Sequence, residues 1–178
     1  QLDLPPFTLV AATTRPALLS APLRSRFGGG TFRLDFYSES EIRDIIKRSA
    51  KILGMELDDE AALEIARRSR FTPRIANQFL KRCRDLAQLR NQSISKQVAR
   101  EALTLMGIDE LGLSENDRKI LATVIEKFNG GPVGVSTIAT ATHEEDATIE
   151  EVHEPYLIQL GMLERTQGGR QATRHAYD

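Results

Sequence analysis

The sequence predicts a mainly α-helical chain with a small β component: the end of an α/β core over residues 1–37, a four-helix bundle over 38–108, and three helices closed by a hairpin over 109–178. Three observations predict it. Apolar residues recur at helical spacing through most of the chain after Ser38. Short runs with strand character are confined to the two ends. Charge is segregated: residues 67–100 carry ten Lys or Arg against one acid, Asp85, whereas residues 109–155 carry eleven acids against three bases. The net charge of −1 hides this asymmetry, which marks domains with different tasks.

Residues 7–12 (Phe-Thr-Leu-Val-Ala-Ala) read as a buried strand, and a central strand needs partners on both sides. None follows it, so the chain is expected to be a piece of a longer protein. Pro16 and Pro22, an exposed basic turn bearing Arg24 and Arg26, and three glycines lead to a second expected strand at 32–37. Helical spacing then takes over. Ile42, Ile45, Ile46, Ala50 and Leu53 share a face, with Ser38 and Glu41 in capping-box spacing and Gly54 as the stop. A second helix is expected over 59–69. A third starts at Thr72 as N-cap with Pro73 in the first turn and carries Ile75, Phe79, Cys83 and Leu86. A fourth covers 95–106, and 107–112 reads as a linker.

In the last segment Ser114 and Asp117 repeat the capping-box spacing ahead of Ile120, Leu121, Val124, Ile125 and Phe128. A Gly130-Gly131-Pro132 turn precedes a short helix over 135–141. Thr148 with Glu151 is expected to cap a further helix bearing Ile149, Val152, Tyr156 and Leu160. Residues 162–166 and 170–174 flank Gln167-Gly168-Gly169 as a hairpin. Three helices followed by a hairpin is the winged-helix order.

Composition, 40% hydrophobic and 28% charged, is that of a globular protein. No apolar run is long enough to span a bilayer, so no membrane partner and a cytoplasmic location are expected. The lone Cys83 sits among apolar residues and is expected to be buried. His143, His153 and His175 are scattered without zinc spacing and are expected at the surface. The acidic runs at Asp58 and Glu144 suit helix starts. There is no G-x-x-x-x-G-K-[ST] loop and no strand ending in paired acids, so neither a metal site nor nucleotide hydrolysis by this chain alone is expected.

Three sets of arginines stand out. Arg74, second in a helix whose N-terminus offers free N–H groups, adds a fixed cation to a natural anion site. Arg24 and Arg26 could reach a phosphate on a neighbouring molecule. Arg165, Arg170 and Arg174 lie on or beside the hairpin of an otherwise acidic domain, where cations make sense if the wing touches phosphates.

Five blocks occur in order: Thr8-Leu9-Val10-Ala11-Ala12-Thr13-Thr14-Arg15, Pro22-Leu23-Arg24-Ser25-Arg26-Phe27-Gly28, Thr72-Pro73-Arg74-Ile75-Ala76-Asn77, Gly130-Gly131-Pro132-Val133-Gly134 and Glu154-Pro155-Tyr156-Leu157-Ile158-Gln159. Together they closely resemble the RuvB family of Holliday-junction branch-migration motors, over essentially the whole chain. The resemblance implies the end of an AAA+ ATPase core, its lid and a winged-helix DNA-binding domain. It makes Thr14 the sensor-1 residue, Arg26 the arginine finger with Arg24 the weaker candidate, Tyr37 a nucleotide contact, Arg74 sensor 2, and Arg165 and Arg170 the DNA contacts. It further implies ATP with Mg²⁺, whose phosphate loop and metal site lie outside this chain. The implied partners are a homohexamer, the double-stranded DNA arms of Holliday junctions, a RuvA tetramer and the RuvC resolvase.

Three departures from the family pattern carry consequences. The Gly28-Gly29-Gly30-Thr31 run is one residue longer and richer in glycine, Phe71 replaces a glycine, and Gln167-Gly168-Gly169 replaces a Pro-Arg-Gly turn, costing the wing one cation. The competing reading is a winged-helix DNA-binding regulator without motor activity. It is disfavoured because residues 147–160 contain no Lys or Arg with which a recognition helix could read DNA. A scaffold subunit related to clamp loaders is a second alternative.

Overall fold

The computed structural model describes residues 5–177. It divides into two compact units, one ending at Asp35 and one beginning at Phe36.

In the first unit neither expected strand forms: residues 7–12 and 32–35 are exposed and carry no regular secondary structure. A strand is held by ladder partners, and none is present among the described residues. The basic turn is a short helix, α1 (Ala21–Arg26), preceded by a 3₁₀ turn, Pro16–Leu18. Of the extra glycines, an added Cβ at Gly28 or Gly29 would meet nothing within 4 Å, whereas Gly30 has φ +116°, a conformation that favours glycine.

The second unit opens with the expected bundle: α2 (Glu39–Ile52), α3 (Asp59–Arg68), α4 (Pro73–Leu89) and α5 (Lys96–Leu105). The Ser38–Glu41 capping box forms in both directions and satisfies two orphan N–H groups of α2. Thr72 caps α4 by position alone, because its hydroxyl donates back to the Ser69 carbonyl at 3.2 Å. Ile42, Ile46, Ile65, Leu80 and Leu103 are fully buried between the four helices. Cys83 is buried with them, and burial pushes its thiol up to about 12, which leaves it an inert packing group.

The third part is α6 (Glu115–Ala122) running into a π-turn (Thr123–Lys127), then α7 (Val135–Thr142), then a continuous helical run of α8 (Asp146–Thr148), a second π-turn (Ile149–His153) and α9 (Glu154–Gln159). The last helix starts two residues before Thr148, which lies inside it and caps nothing. The antiparallel pair β1 (Leu163–Thr166) and β2 (Gly169–Ala172) closes the fold, with Arg165 opposite Arg170. The turn is therefore Gln167-Gly168, and Gly169 opens β2. Val133 bridges to Arg170 on the far edge of β2, so close that a Cβ on Gly169 would lie 2.4 Å from the Val133 carbonyl oxygen.

Two expectations fail at the second π-turn. Val152, placed on the buried face by 3.6-residue spacing, is 54% exposed, and His153, expected at the surface, is 6% exposed. A π-turn takes an extra residue per turn, which rotates everything after it relative to a regular helix. Ile149, His153, Tyr156 and Leu157 consequently face the core in place of Val152. His143 and His175 are exposed.

Residues 107–112 join the bundle to the third part as a fixed connection. Asp109 accepts from the backbone N–H groups of Leu111 and Leu113 at 3.0 and 2.8 Å, and Arg118 donates to the Gly107 and Leu113 carbonyls at 3.1 and 2.8 Å.

Candidate nucleotide-sensing and DNA-contacting residues

The expected site residues fall in both units. In the first, Thr14, Arg24 and Arg26 are all exposed. Both arginines lie on α1 and make no ion pair among the described residues. A six-residue helix with two cations in its last turn presents positive charge outward.

In the second unit Arg74 is the second residue of the seventeen-residue α4, exposed and without an ion-pair partner among the described residues. Pro73 fixes the first turn without wasting a donor. The two residues before the cap, Arg70 and Phe71, both have φ +53°, in the left-handed region that side chains adopt at a cost of about 1–3 kcal/mol each. Phe71 therefore holds a conformation that a glycine would adopt without strain. Its side chain packs against the third part's core, and its carbonyl accepts from the Tyr37 N–H at 3.3 Å. Tyr37 and the start of the Arg74 helix are thus tied to one turn. The Tyr37 side chain is 44% exposed.

On the hairpin, Arg165 and Arg170 converge on one buried carboxylate, Glu154. Arg165 donates from Nε and Nη2, and Arg170 donates from Nε at 3.2 Å and Nη2 at 3.1 Å, with a further bond to Glu150 at 2.7 Å. Burial works to raise the Glu154 carboxyl, but the two guanidinium groups outweigh it and hold it below the usual carboxylate range. The side chains differ in access: Arg165 is 57% exposed and Arg170 only 15%. Arg174 is exposed just past β2.

A further cluster has no counterpart in the sequence reading. Asp117, fully buried, accepts from the Ser114 N–H at 2.7 Å and hydroxyl at 2.5 Å, pairs with His153 Nδ1 at 2.7 Å, and takes a hydrogen bond from Arg70. The Arg70 guanidinium also stacks over the Tyr156 ring, 4.8 Å from its centroid. The Tyr156 hydroxyl donates to the Leu111 carbonyl at 2.6 Å, and burial raises it to about 12. Burial likewise opposes ionisation of Asp117, yet the His153 and Ser114 hydrogen bonds and the Arg70 charge keep its carboxyl below the ordinary value. The only signal in the sequence was the capping box, which accounts for the Ser114 contact and conceals the rest.

The depressed carboxyls of Asp117 and Glu154 fix the sign of an acid effect. Stability from a carboxyl depressed in the folded state is present above its unfolded value, about 3.9 for Asp and 4.3 for Glu, and is lost as pH falls through the folded value. The third part is therefore expected to lose stability progressively below about pH 4. Asp117→Asn should flatten that acid limb; a thermal-melt series from pH 7 to 2 with an unchanged limb would contradict the assignment.

Among the described residues no grouping of three or more His, Cys, Asp or Glu could hold a metal ion, and no helix is long and apolar enough to cross a membrane.

A four-helix bundle carrying an exposed arginine at a helix start, followed by helices and a hairpin with paired arginines, has the architecture of an AAA+ lid joined to a winged-helix domain. Family profiles agree: residues 1–33 match the Holliday junction DNA helicase RuvB P-loop domain, 37–109 the RuvB AAA lid domain, and 110–178 the RuvB C-terminal winged helix domain. The chain belongs to the RuvB family. Similar relatives are the Holliday junction branch migration complex subunits RuvB of Dehalococcoides mccartyi, 58% identical over 178 residues, and Solibacter usitatus, 57% identical. Each comparison covers 99% of this chain and 51% or 52% of the relative, so the chain spans about half their length. A solved structure of the Thermotoga maritima RuvB Holliday junction branch migration motor superposes with TM-score 0.87 at 49% identity, covering 97% of this chain and 58% of that one. These matches favour the motor family over the regulator reading.

Proposed function

We propose that this chain is the nucleotide-sensing and DNA-gripping half of an ATP-driven motor that pulls duplex DNA to migrate Holliday junctions. The observation that carries the reading is the pairing, within a RuvB-family chain, of an exposed Arg74 at the start of α4, with no ion-pair partner among the described residues, with a wing whose Arg165 remains 57% exposed.

ATP, accompanied by Mg²⁺, supplies the phosphoanhydride whose hydrolysis drives the cycle. Arg74 provides a fixed cation at a helix start, where free N–H groups and the helix dipole already favour phosphate. Tyr37, tied by its backbone to the same turn, contacts the nucleotide beside it. Thr14 orients the attacking water. Arg26, with Arg24 as the second candidate, projects outward and neutralises charge growing on the γ-phosphate of ATP held by a neighbouring subunit, which makes turnover depend on ring assembly. In this reading six copies encircle a junction arm in the bacterial cytoplasm, a RuvA tetramer holds the crossover and RuvC resolves it.

Arg165 reaches the DNA phosphates first, because Arg170 is largely committed to Glu154 and Glu150. With those two acids the local charge of the wing sums to zero, so binding by a single copy is weak and independent of sequence. Titrating the chain with linear duplex at several salt concentrations tests this. Removing both cations in Arg165→Ala/Arg170→Ala should lower the salt-dependence slope by up to about 1.8, at about 0.9 per phosphate contact. Tight binding to one particular duplex sequence would instead restore the regulator reading.

A further inference from the structure

We propose that Arg70 and Asp117 are positioning residues that connect the wing to the helix bearing Arg74, forming a polar relay through which DNA engagement adjusts the nucleotide-sensing residues. The inference rests on the functional reading above.

The relay is contiguous. Arg165 and Arg170 hold Glu154. The preceding residue, His153, turned inward by the π-turn, holds Asp117 at 2.7 Å. Asp117 holds Arg70, 47 residues away in sequence, and Arg70 with Phe71 forms the left-handed turn that leads through Thr72 into the first turn of α4. Two adjacent residues at φ +53° would not keep that conformation unaided. Arg70 is held by the Asp117 bond and by stacking on Tyr156, and Phe71 by packing into the winged-domain core. All of these restraints come from the winged domain. Packing in the bundle sets the direction of α4, while the turn that leads into its first residues, beside Arg74, is restrained by contacts one residue removed from the carboxylate that grips both wing arginines. A displacement of Glu154 when Arg165 exchanges it for a DNA phosphate reaches His153 directly, because the two share a backbone. Buried side-chain nitrogen and oxygen atoms along the path all have partners among the described residues, so the network has no slack member to absorb such a shift.

The test is a double-mutant cycle in the full-length protein, read as the ratio of ATPase rates with and without linear duplex DNA, with duplex affinity measured beside it. Arg70→Ala should keep duplex affinity within about twofold. It should lower the DNA stimulation ratio by at least about fivefold, the lower end of coupling between linked sites. Arg70→Ala/Arg165→Ala should lose no more than the larger single loss. Intact stimulation in Arg70→Ala, or losses that multiply in the double variant, overturns the relay. A merely structural Arg70 would lower duplex affinity and stimulation together. If Arg165→Ala leaves duplex affinity unchanged, the wing reading falls and the relay with it; if it weakens binding while Arg70→Ala remains fully stimulated, the relay alone falls. Should Arg70→Ala fail to fold, amide exchange of the wild-type protein decides: duplex is expected to change exchange at Ala76 and Asn77, and unchanged rates overturn the relay.

Discussion

Arg26→Ala in the full-length protein is expected to lower ATP turnover by about 10³–10⁵, the usual worth of an arginine finger, while leaving ring assembly and ATP binding largely intact. The structure motivates this through what Arg26 does not do: it is exposed in the last turn of α1 and pairs with no acid among the described residues. Its loss removes no ion pair among the described residues, so a defect in turnover with assembly and nucleotide binding intact points to the chemistry rather than to folding. Steady-state hydrolysis with nucleotide affinity and sedimentation measured in parallel checks it. Arg24→Ala, two residues earlier on the same helix, should retain most of the activity. Undiminished turnover in Arg26→Ala would sink the assignment, and a collapse in Arg24→Ala alone would transfer the role to that residue.

Asp117→Ala is expected to destabilise the second unit by about 3–5 kcal/mol, the cost of breaking a buried ion pair from one side. The carboxylate is fully buried and accepts from Ser114, His153 and Arg70. Its removal strands an Arg70 side chain only 13% exposed and deprives α6 of its capping box. Asp117→Asn keeps the shape and some of the hydrogen bonding and should cost clearly less. Denaturant unfolding of the two variants beside wild type would show it, and equal midpoints for Asp117→Ala and wild type would mean that the cluster contributes nothing to stability.

The helices of the lid were legible because their signals are local. Ser38 with Glu41 and Pro73 after Thr72 mark starts, and Ile42, Ile46, Phe79 and Cys83 recur at the spacing that buries one face. The expected strands at 7–12 and 32–37 had the right composition, but strand formation depends on a ladder partner that composition does not supply. The swap of Val152 for His153 has a different origin. A π-turn is a backbone choice invisible to a pattern search that assumes 3.6 residues per turn, so Val152 is misplaced in favour of His153 although Tyr156 keeps the buried position expected of it. Of the candidate site, the arginines were legible as charges in unusual places. Their partners were not: Glu154 looked like one acid in an acidic segment, and Asp117 like half of a capping box. Only the fold brings Arg70 to Asp117 across 47 residues, joining the turn before α4 to the first helix of the winged-helix part by a hydrogen bond.

We propose that this chain senses nucleotide and grips duplex as part of one motor. The most direct measurement is dissociation of a synthetic four-way junction with heterologous arms by the full-length protein together with RuvA, comparing wild type, Arg26→Ala and Arg165→Ala/Arg170→Ala. The expected result is ATP-dependent migration by wild type, none by Arg26→Ala despite retained duplex binding, and a loss in the wing variant that deepens as salt is raised. Migration that survives in both variants, or that proceeds without ATP, would contradict it.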